Sequence, residues 1–320
     1  MDNKTITVEK NEKNSNMDIF RALSLLLVFF YHCWVCLGAY QIKIPIINYL
    51  ILLGGELGVT AFFMLSGYGI FSSLDRTDKT ISFKDFMVKR LKRVAPQYYL
   101  NLFVVLVFTS SAVYMGKEYI ANILAHIFFV HNFKPEYSGA INGVLWTMAV
   151  IFQFYIIAIP LFKLIKKAGV PIVLLSVPVT IVIKMSVFKL IAAVPEYNGN
   201  FGAYGFWAGR QLITALDNFV LGMGVAYISK KKKWRGNALP VCMIITGLTL
   251  LYGVMLYGIK NGIHTNNISG YTWHSMVAVA LGIVMYGFAF LKYKYFIISK
   301  LLKWIAKYEY GIYLWHLVII

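Results

Sequence analysis

The sequence predicts an all-α fold, a polytopic bundle of transmembrane helices with about nine to ten crossings, and three observations predict it. Of the 320 residues, 59% are hydrophobic and 14% charged, a charged share below the roughly 25% of soluble domains. Apolar stretches of about 20 residues, long enough to cross about 30 Å of hydrocarbon, recur along the whole chain. Cations gather in the short segments between them, as cytoplasmic loops require. Lipid offers a backbone no hydrogen-bond partner, so such stretches fold as helices or closed barrels. Their unbroken apolarity excludes the alternation of a barrel.

The polar segment 1–17, with Lys4, Lys10 and Lys13, is expected to be a disordered cytoplasmic tail, and 18–320 a single membrane domain. The first span, 18–38, is charged only at Asp18 and Arg21. It is too long for a signal peptide and lacks a small-residue cleavage site, so it is read as retained. A second apolar segment runs over 49–74, and Arg76, Lys79, Lys84, Lys89, Arg90, Lys92 and Arg93 follow it. A third span is expected at 97–115, then a short apolar piece at 119–133 that dips in or lies along the interface. The polar loop KPEYSGAING leads to a span at 144–163, which ends in Lys163, Lys166 and Lys167. Further spans are read at 170–192, 209–229, 238–258 and 272–291, with Lys230 to Lys233 and Arg235 marking another inner loop. The last segment, 308–320, follows Lys300, Lys303 and Lys307. It reaches only about 20 Å, so the chain is expected to continue past Ile320. The charge pattern places the protein in the cell membrane as a multi-pass chain with a cytoplasmic N-terminus.

The balance of 31 Lys and Arg against 13 Asp and Glu gives +18, which in a soluble protein would suggest nucleic acid. Here the cations follow the positive-inside rule, so the expected partner is the lipid bilayer and no nucleic acid. The same basic face suits an anionic donor. Cys33, Cys36 and Cys242 all fall in apolar spans, so no disulfide framework follows. His32, Cys33 and Cys36 have no complementary ligand pair elsewhere in the sequence, and no metal is expected.

Candidate chemistry begins on the first span, where His32 stands about 16 Å further along the helix axis than Arg21. An intramembrane histidine either faces a polar cavity or ties two helices by a hydrogen bond. On the second span Gly54 and Gly58 form a small-xxx-small pair for close packing, and Glu56 between them is an interfacial charge or a cavity-lining group. Ser66 and Gly67 read as packing residues. In KRLKRVAPQYY, Arg90 and Arg93 share a helix face, which suits a phosphate as well as simple anchoring. Trp146 falls at a membrane boundary, with Gln153 and Tyr155 deeper, where either could orient an acceptor hydroxyl. The closing segment offers Tyr313, Trp315 and His316.

In this order the stretches DIFRALSLLLVFFYH, GVTAFFMLSGY, KRLKRVAPQYY, LWTMAVIFQFY and YGIYLWH resemble the acyltransferase 3 family of membrane acyltransferases, which modify bacterial polysaccharides. The resemblance implies an enzyme that moves an acetyl or similar acyl group from acyl-CoA to a hydroxyl of a sugar or surface-polymer acceptor. By the same resemblance His32 is the general base with Arg21 its companion, and Arg90 and Arg93 serve the acyl-CoA donor. Glu56, Trp146, Gln153, Tyr155 and His316 are the expected acceptor-binding residues. Acyl-CoA enters as a substrate, and no permanently bound cofactor is implied.

The chain departs from the family pattern usually written LWSLSVEEQFY, because Ile151 and Phe152 stand at its two acidic positions. Thr60 likewise stands where an aspartate is common. Either another group such as Glu56 substitutes, or the chemistry is altered, or catalysis is lost. Two other readings therefore stand beside the enzyme: a membrane transporter for a polysaccharide or small molecule, and an inactive family member acting as an assembly subunit.

Overall fold

A computed structural model describes residues 3–76, 82–109, 117–231, 234, 236–291 and 297–320. It is 83% helical and shows no strand among the described residues. Helix α1 (Asn3–Cys36) leads through the short α2 (Pro45–Leu52) into α3 (Gly54–Leu74), followed by α4 (Phe83–Phe108) and α5 (Tyr119–Ile127). Helices α6 (Trp146–Ala168), α7 (Val170–Ala192), α8 (Phe201–Ala208) and α9 (Leu216–Lys231) come next. The chain closes with α10 (Ala238–Asn261), α11 (Ile268–Phe290) and α12 (Ile297–Ile319).

Six helices are long and apolar enough to cross a membrane: α1 from Asn16, α3, α6, α7, α10 and α11. The outer ring turns apolar side chains outward, with Phe103, Leu174, Val182 and Ile245 all more than half exposed. Such a belt would be a liability in water and suits hydrocarbon. The protein is a multi-pass membrane protein. The three other helices at expected crossings fall short for local reasons. In α4 and α12 charged residues crowd the first half, and α9 keeps 16 residues because 209–215 runs as turns.

Several expected boundaries move. Asn16 and Met17, read as tail, are buried, and Asn16 Nδ2 donates to the carbonyls of Phe288 and Leu291 at 2.8 and 2.7 Å. Those carbonyls lie at the end of α11, where a helix leaves acceptors unpaired. The segment 49–74 breaks at Leu53 into α2 and α3. Nine residues in α5 reach only about 14 Å, too short to cross. The last helix begins at Ile297, so the expected reach of about 20 Å is corrected to about 34 Å for its 23 residues. Positions 110–115, Lys79, Lys232, Lys233 and Arg235 lie outside the described residues.

Helix α3 is the hub. On one side Gly54 and Gly58 admit α1 so closely that a Cβ on Gly58 would stand 2.6 Å from the Ser24 carbonyl oxygen. On the other, a Cβ on Gly222 of α9 would stand 1.9 Å from the Met64 carbonyl oxygen. Membrane helices have little hydrophobic drive to associate, so bare backbone contact of this kind supplies the packing. Leu25, Val28, Leu57 and Trp273 fill the seam between α1, α3 and α11. Stacked Phe63, Phe219 and Phe154, with centroids 4.7 and 4.0 Å apart, fill the seam between α3, α9 and α6. Of the cysteines, Cys33 is half-buried, Cys36 and Cys242 are exposed, and all three are free.

Candidate functional site

Helices α1 and α12 pack side by side and bring the two expected histidines together. His316 Nε2 lies 3.0 Å from His32 Nδ1. The backbone carbonyls around them settle which nitrogen carries the proton. His316 Nδ1 faces the Tyr313 carbonyl at 2.8 Å and must donate to it, so in the neutral ring Nε2 is left as an acceptor. His32 Nδ1 faces the Val28 carbonyl at 2.9 Å as well as that acceptor, so it too carries the hydrogen. In the neutral ring the lone pair of His32 is therefore on Nε2, the tautomer a general base at that nitrogen needs.

Eleven residues before His32 on the same helix, Arg21 lines a cavity of about 150 Å³ together with Arg90, Arg93, Tyr155, Ser66 and Glu309. Arg21 is held by Asp18 at 2.6 Å and by Glu309 at 3.4 Å. Arg90 lies over the Phe86 ring at 5.2 Å, and its buried Nε has no hydrogen-bond partner. The arginines of α4 thus face the cavity with donor capacity in reserve, and guanidinium forks suit phosphate oxygens.

A second cavity, of about 390 Å³, is lined by Trp146, Tyr204, Phe206, Trp207, Arg210 and Glu136. Trp146 begins α6, whereas Ile151 and Tyr155 further along the same helix line the arginine cavity. Both cavities thus draw on the first half of α6, the aromatic one at Trp146 and the arginine one from Thr147 to Tyr155. At the aromatic one, Glu56 accepts from Arg210 at 2.9 Å and meets His274 at 3.1 Å and His264 at 3.6 Å. The Arg210 guanidinium lies over the rings of both Trp146 and Phe206. The histidine pair lies between these regions. Tyr313, whose ring is 5.7 Å from that of His316, lines the arginine cavity. Tyr31, next to His32, packs against Gly55, the neighbour of Glu56.

The expected acceptor-binding residues are thus divided. Trp146 lines the aromatic cavity, Glu56 is paired with Arg210 beside it, and His316 joins His32. Tyr155 belongs instead to the arginine cavity. Gln153 lines neither: its amide donates to the Phe129 carbonyl at 3.2 Å and to Asn132 Oδ1 at 2.7 Å. Asn132 in turn donates to Gln211, and Trp207 donates to the Asn132 carbonyl, so this network fixes the wall behind the aromatic cavity. Arg90 and Arg93, expected to serve the donor, share one cavity with Arg21, whereas His32, which Arg21 was expected to accompany, is not among its lining residues. Sequence reasoning missed Arg210, His264, His274 and Glu309. The available signal was an ionisable residue inside or beside an apolar segment. Among the described residues no group of three His, Cys, Asp or Glu could hold a metal ion.

A model of the acyltransferase domain of the acyltransferase 3 family matches residues 14–320. Similar proteins include the peptidoglycan O-acetyltransferase OatA of Listeria monocytogenes, 25% identical over 95% of this chain and 49% of its own length. A putative O-acetyltransferase of Staphylococcus aureus is 27% identical over 95% of this chain and 50% of its own. The putative peptidoglycan O-acetyltransferase YrhL of Bacillus subtilis is 24% identical over 95% and 48%. The chain spans about half the length of these curated relatives. No solved structure matches it.

Proposed function

The chain belongs to the acyltransferase 3 family, and from that membership we propose that it transfers an acetyl group from acetyl-CoA to a hydroxyl of a peptidoglycan-type glycan. The arginine cavity takes the anionic donor at the cytoplasmic face, with Arg90 and Arg93 on its phosphates and the N-terminus on the same side. On this reading α4, α9 and α12 also cross, which gives about nine crossings. The aromatic cavity takes the acceptor. Pyranose rings present apolar C–H faces that stack on Trp146, Tyr204 and Trp207, and Glu136 and Arg210 offer hydrogen bonds to hydroxyls and carboxylates.

One observation carries the reading: the His32–His316 pair, between the two cavities, with the His32 lone pair on Nε2. As the acceptor oxygen attacks the thioester carbonyl, its proton passes to His32 Nε2. The C–O bond forms, the C–S bond breaks, and the proton returns to the leaving thiolate. His316 Nε2 accepts the Nδ1 hydrogen of His32 and stabilises the imidazolium that forms between these steps.

The test uses the purified full chain with acetyl-CoA and a soluble glycan fragment, following thiol release. Acceptor-dependent release is expected. His32→Ala is expected to lose it by a factor of about 100 or more with unchanged melting. Normal turnover by that variant removes His32 from the role, and acceptor movement across vesicles without thiol release favours a transporter.

A further inference from the structure

The arginine cavity carries three guanidiniums, from Arg21, Arg90 and Arg93; Glu309 is the one carboxylate among its described lining residues, and Asp18 holds Arg21 from outside that lining. Such a cavity attracts anions, but arginines with no fixed counter-charge also repel and turn away from one another. Glu309 Oε2 lies 3.4 Å from Arg21 Nε, and its side chain keeps about one-fifth of its surface accessible. It is bound to a guanidinium and still open to the cavity.

Ile151 lines the same cavity. Thr147 Oγ1 of α6 and Tyr313 Oη of α12 share a hydrogen bond of 3.0 Å that pins the two helices together. The helices run in opposite directions, since α6 enters at the aromatic cavity and α12 approaches from the arginine side, where Glu309 precedes His316. One turn from that pin, about 6 Å along each axis, leads to Ile151 on α6 and to Glu309 on α12, and both line the same cavity. A carboxylate at either position would meet the arginines of that cavity.

We propose that Glu309 is the positioning residue of the donor cavity: it balances the guanidiniums and aims Arg21, and it does so from α12 in the cavity to which α6 presents the apolar Ile151. It acts through Arg21 and not on the reacting atoms. The proposal rests on the transferase reading for its kinetic half, while its charge half stands without it.

The experiment compares the full-length wild type, Glu309→Gln, and the double variant Glu309→Gln with Ile151→Glu. With acetyl-CoA and a glycan fragment, Glu309→Gln is expected to lower kcat about tenfold. KM for acetyl-CoA is expected to fall about threefold, because an anion is lost from an anion site; a purely structural defect would not tighten the donor. Ile151→Glu in that background is expected to recover at least half of the loss on a logarithmic scale. Wild-type kcat in Glu309→Gln, or a folded double variant no more active than the single one, overturns the proposal. If the wild type itself turns nothing over, the transferase reading fails, and coenzyme A binding decides the charge half. About threefold tighter binding by Glu309→Gln, reversed by Ile151→Glu, supports it, and equal affinity in all three proteins overturns it.

Discussion

The two cavities of this bundle both join arginine to glutamate, but in opposite proportion. At the aromatic cavity one arginine, Arg210, meets Glu56 with His264 and His274 around the same carboxylate, and Trp146 and Phe206 cover the guanidinium. The other cavity is lined by three arginines and Glu309, of which Arg21 pairs with Glu309 and with Asp18. The first arrangement gathers its partners around one carboxylate, while the second has more guanidinium groups than carboxylates among its described lining residues. An ion pair away from water contributes chiefly by not being broken, whereas an arginine in surplus contributes when an anion arrives.

The contrast breaks most readily at Arg210. Arg210→Ala leaves Glu56, 14% exposed, with only two imidazoles beside it, and is expected to destabilise the protein by about 3 kcal/mol in denaturant or thermal melts. A loss below about 1 kcal/mol, the size of a surface pair, would mean that the Glu56 cluster is hydrated and not closed. The counterpart is Arg90, whose Nε has no partner. Arg90→Ala is expected to leave the melting temperature unchanged and to raise KM for acetyl-CoA about tenfold, about 1.4 kcal/mol of donor binding. A large drop in melting temperature with unchanged KM would make that arginine structural and erase the difference between the cavities.

The same contrast explains what could be read from the chain. Arg21, His32, Arg90 and Arg93 were legible because each lies in a local run whose periodicity or spacing shows one helix face. His316 was visible as an ionisable group in an apolar helix, but nothing local showed that it would bond to His32, 284 residues away in sequence. Arg210 falls within 209–229, which reads as one apolar span, so the turns of 209–215 and the guanidinium they present to Glu56 left no periodic signature. Glu309 stood in plain view within YEYGIYLWH, yet its meaning depended on which helix would face α6. Membrane embedding needed only span length and backbone chemistry, and the helix positions followed from them. The breaks at Leu53 and 209–215 did not, because local turn bonds satisfy the backbone there inside apolar sequence.

A third carboxylate tests whether the environment, and not the number of cations, sets the size of these effects. Asp75 follows the last residue of α3 and takes Lys166 at 2.8 Å on one oxygen and Lys230 at 2.5 Å on the other, tying the ends of α3, α6 and α9. Glu56 has one fixed cation, Arg210, and Asp75 has two, but both lysines are more than one-third exposed and water screens them. Partial burial raises the Asp75 carboxyl, and the hydrogen bonds from Lys166 and Lys230 outweigh it, holding the group below the usual aspartate range. With its pKa depressed in the folded state, the stabilisation is complete above the unfolded value and is lost as pH falls through the folded one. Asp75→Asn is therefore expected to cost about 0.5 kcal/mol at neutral pH and to flatten the acid-side decline of melting temperature. An effect as large as that of Arg210→Ala would show that cation count alone governs both sites. A small one, fading only in acid, assigns the difference to the membrane interior around Glu56.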